Sequence, residues 1–331
     1  MVTLEEAALN GCICRCLCVA LLLAGTSGAW GQGWPARSVR MIVSSAAGGT
    51  PDIVARLLAE HESGTLGQQV LVDNRPGATN LIGAEAAARA PADGYTMFFV
   101  TAATLVTNPY TFKSLPYDPD RDFVPVAMVG KTAFMVLVNP QVPARDLREL
   151  VALDHAKPGN LSLATDGTRN FSGMISAWLN KLAGTQIQQI PYQAMPQGVR
   201  DTVAGRTQVV ILAVPSALPF LKRGDLRALA VTTDFRLPGF ADVPPVAETF
   251  PGFNFLGWFA VVSPRGTPEA AVQRMNKAVD EALKDPQVTG RLADLGVITH
   301  GAGTPKELAD FIQTDRVAWG KLVHAIGIEP E

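Results

Sequence analysis

Cysteine is scarce in this sequence, and its placement excludes several kinds of chemistry. The four cysteines are confined to the first 18 residues, as Cys12, Cys14, Cys16 and Cys18. The remaining chain therefore has no thiol nucleophile and no cysteine ligand for a metal, and it needs no disulfide in an oxidising compartment. The alternating spacing is compatible with a soft metal, but it runs directly into an apolar stretch. We interpret it as part of an export segment.

Charge is also scarce. Charged residues are 18% of the 331 residues, the formal net charge is −2, and the basic residues form no block. This balance argues against nucleic acid as a partner. Hydrophobic residues make up 47% of the sequence, which is typical of a compact globular protein, and the length is sufficient for two domains with a large core.

Apolar runs of membrane-spanning length are absent. The run at 17–24 is too short to cross a bilayer and is followed by small residues. This order is typical of a secretory signal, although Glu5 and Glu6 make its amino end unusually acidic. We predict a signal peptide over residues 1–29, cleaved near Ala29 to Gly31, and a periplasmic location for the exported protein.

Catalytic signatures are missing as well. The four histidines show no H-x-x-H or H-E-x-x-H spacing, and the chain contains no Gly-x-Ser-x-Gly elbow and no calcium-loop spacing. The sequence therefore predicts that the protein is not an enzyme and has no catalytic residues, no metal site and no cofactor.

Short β-like runs alternate with helix-patterned segments, which is typical of α/β domains with mostly parallel sheets. The predicted strands are 39–44, 69–73, 95–100, 124–129, 133–138, 187–190, 208–212, 227–232 and 256–262. The predicted helices are 51–63, 80–90, 146–156, 171–183, 196–204, 216–223, 268–284, 287–294 and 305–324.

The chain shows no flexible linker, so two domains would have to be joined through ordered strands. The runs at 133–138 and 256–262 are the natural crossovers because each lies between two blocks of strand–helix units. We predict one domain from residues 34–133 plus 259–331 and a second from residues 134–258. The cleft between them is expected to be lined by loops at the carboxyl ends of strands.

The most informative segment is the turn after the first predicted strand, residues 44–52, which is rich in serine, alanine and glycine. Thr50 suits a helix N-cap and Pro51 the first helical position. Backbone N–H groups and the helix dipole at such a turn form a seat for an anion, although an ordinary tight turn explains the same residues. The spacing matches neither a dinucleotide nor a triphosphate loop, so we expect a small carboxylate.

Three further polar loops, 101–104, 165–172 and 192–194, also follow β-like runs. Each alone is ordinary turn chemistry, but two loops from each predicted domain would together surround a small polar ligand. The predicted ligand-binding residues are Ala46, Ala47, Gly48, Gly49, Thr50, Asp52, Thr101, Ala102, Thr104, Thr165, Gly167, Thr168, Arg169, Asn170, Ser172, Tyr192 and Gln193.

Several short motifs occur together in the order found in one known family. They are Ala-Gly-Gly-Thr-Pro-Asp (47–52), Asp-Asn-Arg-Pro-Gly-Ala (73–78), Pro-Ala-Asp-Gly-Tyr-Thr (91–96), Leu-Pro-Tyr-Asp-Pro (115–119), Ile-Pro-Tyr (190–192), Pro-Ser-Ala-Leu-Pro (215–219) and Leu-Arg-Ala-Leu-Ala-Val (226–231). Through them residues 34–328 resemble the Bug family, the TctC-like periplasmic solute-binding receptors of tripartite tricarboxylate transporters.

The resemblance implies a type II periplasmic-binding-protein fold, an α/β architecture in which two α/β domains, joined by crossover strands, close around a central cleft. It also implies that the loops matching 46–50 and 165–172 hold one carboxylate of an organic ligand. The loops matching 101–104 and 192–194 would enclose the rest.

Some positions depart from the family pattern. Ala47 stands where proline is common, and Val210 stands where an aspartate is often found. If Phe171 and Val210 face the cleft, we expect a partly apolar ligand. Arg169 either pairs with a second carboxylate or is a solvated loop arginine.

We therefore expect an extracytoplasmic solute-binding protein that captures a small organic carboxylate by hinge closure. It would deliver the ligand to the membrane subunits of a tripartite tricarboxylate-type transporter. An alternative is an orphan receptor that signals to a membrane sensor kinase. An exported enzyme acting on a carboxylic acid and a non-binding scaffold are further alternatives, and both are less compatible with the motifs above.

Overall fold

The computed structural model describes residues 33–192 and 195–330. The predicted signal peptide and its cleavage point, the four cysteines and the predicted site residue Gln193 lie outside these ranges. Residues Arg37–Glu331 form one compact unit. Within the described ranges, no helix has the length and apolar character needed to cross a membrane.

The described chain contains ten strands and ten α-helices, and most of them alternate. The strands are β1 (Val39–Val43), β2 (Val70–Asn74), β3 (Thr96–Thr101), β4 (Phe123–Val138), β5 (Ser162–Thr165), β6 (Gln188–Pro191), β7 (Val209–Ala213), β8 (Arg227–Val231), β9 (Leu256–Pro264) and β10 (Val297–Ile298). The helices are α1 (Thr50–Leu66), α2 (Leu81–Ala88), α3 (Asn108–Thr111), α4 (Leu147–Ala156), α5 (Phe171–Ala183), α6 (Met195–Val203), α7 (Val214–Arg223), α8 (Glu269–Ala282), α9 (Pro286–Asp294) and α10 (Pro305–Ala325).

Most predicted elements agree with these bounds to within a few residues, and the main difference is β4. The predicted strands 124–129 and 133–138 are one strand of 16 residues. Register shifts near Pro125 and Met128 bend it without breaking its pairing to β9, which is the usual effect of a β-bulge. The two-residue strand β10 was not predicted, because two residues pairing with β4 leave no periodic pattern.

The strands form one curved sheet in the order β2-β1-β3-β9-β4-β7-β5-β6, with β8 and β10 also pairing with β4. Strands β1, β2 and β3 are mutually parallel, and so are β5, β6 and β7. Strand β9 is antiparallel to both β3 and β4, so β3 points along β4. Strand β7 is antiparallel to β4.

These directions make two groups of carboxyl ends face each other along β4. Thr101, the last residue of β3, pairs with Phe259 of β9, and Phe259 pairs in turn with Gly130 of β4. Ala213, the last residue of β7, pairs with Phe134 of β4, and β7 runs in the opposite direction to β3. Gly130 and Phe134 are four residues apart along β4, which corresponds to about 13 Å at about 3.3 Å per residue. A gap of this size suits a small ligand between two sets of loops.

The core supports both groups of strands. Alternate residues of β4 face different clusters: Met135 and Leu137 pack with β7 and α7, whereas Val136 and Val138 pack with the larger cluster. This alternation is the period of two expected for a strand covered on both faces. The core therefore packs against both faces of β4 beneath the gap.

Candidate functional site

The first loop, residues 45–49, is shaped by the buried carboxylate of Asp52. Its Oδ2 accepts from the Gly48 N–H at 2.8 Å, and its Oδ1 accepts from Arg56 Nε and Asn74 Nδ2 at 2.9 Å each. The Asn74 amide also donates to the Ser45 carbonyl at 3.0 Å. Burial opposes ionisation, but these hydrogen bonds outweigh it and hold the pKa of Asp52 below its ordinary value. Asp52 therefore stabilises the conformation of the first loop.

The expectation that Thr50 caps α1 is wrong. The helix begins at Thr50 itself, Gly49 occupies the cap position, and no side chain caps the helix. The Thr50 hydroxyl instead lies 2.7 Å from the Ser216 hydroxyl at the start of α7. This contact joins the helices that follow β1 and β7 across the gap between the two groups of carboxyl ends.

Buried hydroxyl groups lie at the ends of β1 and β3. Ser44 directly follows β1, Thr101 ends β3, and Thr104 lies in the π-helical turn Ala103–Thr107 that follows. Ser44 and Thr104 are 3% and 0% exposed, and Ala102 between the two threonines is also buried. Within residues 33–192 and 195–330, the hydroxyls of Ser44, Thr101 and Thr104 have no hydrogen-bond partner. Buried hydroxyls normally have partners, so these are suited to a ligand or ordered water.

Ser44 and Ser216 are candidate site residues that the sequence reasoning missed. The signal for Ser44 was available, because it is a hydroxyl residue in the first turn position after a predicted strand. No local pattern places Ser216 beside Thr50, since 166 positions separate them.

The second loop, residues 165–172, is held together by its own side chains. The Thr165 and Ser172 hydroxyls lie 2.8 Å apart, the Ser172 hydroxyl lies 2.5 Å from Asp166 Oδ1, and Asn170 Nδ2 donates to the Asp166 carbonyl at 2.7 Å. Gly167 has a φ of +123°, a conformation that favours glycine. Most predicted polar side chains of this loop therefore maintain its shape, and Thr168 is exposed beside them.

Val210 is removed from any ligand, whereas Phe171 is only partly buried and packs over the middle of β4. The Phe171 ring stacks on Trp319 with centroids 5.1 Å apart and contacts Phe134 and Phe255 edge-on. Val210 is completely buried in the cluster beneath β7. Burial explains the apolar residue at 210, and the aromatic contacts explain the one at 171.

Arg169 is directed toward the carboxyl-terminal end of the chain. One of its guanidinium nitrogens donates to the Glu329 carbonyl at 3.0 Å. This contact favours a structural role for Arg169 over either role expected from the sequence.

Tyr192 is also engaged with the protein. Its N–H donates to the Thr165 carbonyl at 2.8 Å, and its hydroxyl donates to Asp201 Oδ2 at 2.9 Å. The loop after β6 is thereby fixed to the second loop at their shared sheet edge.

A strained turn borders the first loop. Ala78, Thr79 and Asn80 have φ values of 44°, 51° and 72°, which is rare for residues other than glycine and especially for a β-branched one. Gly83 of the following helix packs so closely on Ser44 that an added Cβ would lie 2.7 Å from the serine Cβ. Backbone strain concentrates at functional sites, and the helix that follows this turn packs directly on Ser44.

No group of three or more His, Cys, Asp or Glu residues in the described ranges is arranged to hold a metal. The polar groups at the two edges are backbone amides, hydroxyls and one accessible carboxylate. This chemistry, on loops at the carboxyl ends of strands in an open α/β sheet, is typical of a site for a small polar ligand.

Residues 54–328 match the model of the tripartite tricarboxylate transporter family receptor. The chain belongs to this family, as its motifs indicated. BugT of Bordetella pertussis is 33% identical over 296 residues, covering 89% of this chain and 90% of that protein.

Solved structures of similar proteins confirm the predicted fold class. Rpa4515 of R. palustris with adipate has a TM-score of 0.86 and 31% identity, covering 90% of this chain and 100% of that one. MatC of Rhodopseudomonas palustris with bound malate has a TM-score of 0.80 and 31% identity, covering 88% of this chain and 100% of that one.

Proposed function

We propose that this protein captures a small organic carboxylate in the periplasm, between the loops after β1 and β3 and those after β5, β6 and β7. The observation that carries the proposal is the approach of two sets of strand ends to within about 13 Å along β4. One set carries the buried, unpartnered hydroxyls of Ser44 and Thr104 in the described chain. The relatives determined with adipate and malate support the choice of a carboxylate.

The amino end of α1 supplies the favourable electrostatics. A helix of 17 residues places a partial positive charge at its amino end, worth about 0.3–1 kcal/mol for an exposed anion. This is too small for tight binding alone. The Gly48 and Gly49 N–H groups already donate to Asp52 and to the Ala46 carbonyl, so the other backbone N–H groups of residues 46–50 and the nearby hydroxyls must contribute most of the affinity.

Capture would proceed by closure of two lobes, residues 34–133 plus 259–331 and residues 134–258. The ligand would first contact the loops after β1 and β3, and closure would bring up residues 165–172 and 192–194. The Thr50–Ser216 contact would form only in the closed arrangement. The ligand favours closure only to the extent that it binds the closed form more tightly than the open form.

Delivery to the membrane subunits of a tripartite tricarboxylate-type transporter is the corresponding biological role. It predicts that loss of this protein abolishes uptake of its ligand and that adding the ligand-loaded protein restores it. Normal uptake, together with loss of a transcriptional response to the ligand, would instead support a receptor for a sensor kinase.

The direct test is thermal unfolding of the purified protein with mono-, di- and tricarboxylates. A ligand at one hundred times its dissociation constant contributes about 2.7 kcal/mol, which raises the midpoint by a few degrees for a protein of this size. A clear shift with at least one carboxylate supports the proposal. Unchanged unfolding with every member, confirmed by calorimetric titration, contradicts it.

Replacing Gly48 with alanine tests the first loop. Gly48 has a φ of +79° and open space where a Cβ would lie, so the substitution acts by backbone strain of about 1 kcal/mol. We expect a reshaped loop and at least about tenfold weaker binding of the carboxylate found in the panel.

Gly224→Ala is the matched control. Gly224 ends α7 with a φ of +73° and has the same open space, so it should lose similar stability and keep its affinity. Equal affinities of the two variants would show that the first loop does not hold the ligand.

A further inference from the structure

The aromatic ring of Phe171 covers the strands that join the two proposed lobes. Phe171 belongs to the second loop and begins α5, in the second lobe (residues 134–258). Its ring contacts Phe134 of β4 and Phe255 just before β9 edge-on, with centroids 5.5 and 5.3 Å apart. A Cβ added at Gly257 of β9 would lie only 3.0 Å from the same ring. Phe171 therefore lies on the crossover strands, where the chain passes from one lobe to the other.

The face of this ring is covered by a residue from the first lobe (residues 34–133 plus 259–331). Trp319 of α10 stacks on it, with centroids 5.1 Å apart and planes within 5° of parallel. One turn earlier, Arg316 joins α10 to the rest of the first lobe, since its Nη1 donates to Asp120 Oδ2 at 2.6 Å and its Nε to the π-helical turn after β3 at 2.9 Å. The Phe171–Trp319 stack is therefore a contact between the lobes.

The ring and the second loop form one unit. The Ser172 hydroxyl lies 2.8 Å from the Thr165 hydroxyl, so the loop is closed on the residue that directly follows Phe171. Arg169 of the same loop donates to the Glu329 carbonyl beyond α10 at 3.0 Å. A movement of this loop away from the first lobe would break the Arg169 contact and unstack the ring.

We propose that Phe171 is a positioning residue, which couples the second loop to the angle between the lobes by stacking on Trp319 as they close. The inference rests on the proposed function and deepens it, because it names a contact that stabilises the closed form. When the lobes open about the crossover strands, the two rings separate and lose their aromatic contact. Such a pair shifts an equilibrium by up to about tenfold, and this factor favours the ligand only in the closed form.

Phe171→Leu keeps an apolar side chain and removes the stack. The probe is whichever of adipate, malate and the other panel carboxylates gives the largest thermal shift. We expect it to dissociate about tenfold faster and to associate at nearly the normal rate, because the ligand first meets the open form, which lacks the stack. Stopped-flow mixing measures both rates. Phe220→Leu is the matched control, since Phe220 is a half-buried ring on α7 that packs with the cluster beneath β7, and both rates should stay normal.

Tryptophan fluorescence tests the movement directly. Trp319 changes its surroundings on closure, because Phe171 lies on the other lobe. Trp178 does not, because the rings that it contacts, Phe253 and Phe255, lie on its own lobe. We expect the probe to change the emission of the unmodified protein and of Trp178→Phe. Trp319→Phe should lose most of that change and keep nearly normal affinity, since phenylalanine retains an aromatic face for the stack.

Gly257→Ala perturbs the same contact from the opposite side. The added Cβ would lie 3.0 Å from the Phe171 ring and 3.3 Å from the Phe134 ring, so it should displace Phe171 and speed dissociation of the probe. In the Phe171→Leu background the same change should have less than a twofold effect, because both substitutions act through one contact.

Two results overturn the inference and leave the proposed function intact. One is a dissociation rate in Phe171→Leu that matches the unmodified protein, and the other is an emission change that persists in full in Trp319→Phe. Either would show that Phe171 only fills space beside the crossover strands. Failure of every carboxylate in the panel to bind would instead refute the proposed function and this inference with it.

Discussion

Replacing Glu62 with glutamine is expected to remove the largest single contribution to the pH dependence of this protein's stability. Glu62 lies on α1 with no exposed surface. Within the described ranges, neither of its carboxylate oxygens has a hydrogen-bond partner. Burial raises the pKa of Glu62 from 4.5 to about 8.

The folded protein therefore keeps a proton on Glu62 at pH values where the unfolded chain has lost it. The free energy of unfolding falls as pH rises from 4.5 to about 8 and levels off above that, because both states are then ionised. The full fall is about 5 kcal/mol, which is a large share of the stability of an ordinary protein.

Urea unfolding at pH 5, 6.5 and 8 measures this effect. Glu62→Gln should match or fall below the unmodified protein at pH 5 and exceed it by several kcal/mol at pH 8. Glu60→Gln is the control, because Glu60 lies on the same helix with a side chain that is 76% exposed, and it should leave the slope unchanged. Parallel pH profiles for all three proteins would mean that Glu62 is ionised in the folded state.

Replacing Gly173 with alanine is expected to damage both stability and ligand binding. Gly173 lies in the first turn of α5, and an added Cβ would lie 2.3 Å from the Gly167 carbonyl oxygen and 2.7 Å from the Thr168 Cα. Both are backbone atoms of the second loop, which cannot rotate away as a side chain does. Overpacking of this kind costs about 1–3 kcal/mol, and the displaced loop should bind at least about tenfold more weakly.

Gly290→Ala is the matched control for a glycine in a helix. Gly290 lies within α9 with nothing near the added Cβ, so helix propensity should stabilise it by up to about 1 kcal/mol. Thermal unfolding and calorimetric titration below both midpoints separate stability from affinity. Normal affinity in Gly173→Ala would exclude the second loop from the site.

The local pattern of the sequence predicted the elements well, because each one carries its own signal. The helix over 171–183 was predicted with the bounds that the structure shows, since its apolar residues recur with the helical period and glycine follows it. The pattern failed at β4, which looked like two strands because Gly130 and Lys131 interrupt an apolar run. Pairing with β9 on one side and with β7 and β8 further along keeps this stretch extended.

The sequence predicted which loops form the candidate site, but not which side chains contact each other within it. Glycine and hydroxyl residues after β-like runs predicted candidate loops at residues 46–50 and 165–172, and both follow strands in the structure. Sequence could not show that Asp52 and Ser172 would be used to hold the loops, or that Phe171 would join an aromatic cluster. Each role depends on a partner that only the folded chain brings close.

The sequence by itself determined the class of fold, the family and the loops at the strand ends, because periodicity and short motifs are local properties. The tertiary structure alone decided which groups remain unpartnered. The Thr50–Ser216 contact spans 166 positions, and the burial of Glu62 without a hydrogen-bond partner in the described ranges depends on every element packed around it. The burial of a side chain and its hydrogen-bond partners depend on residues far away in the sequence, so a local segment cannot predict them.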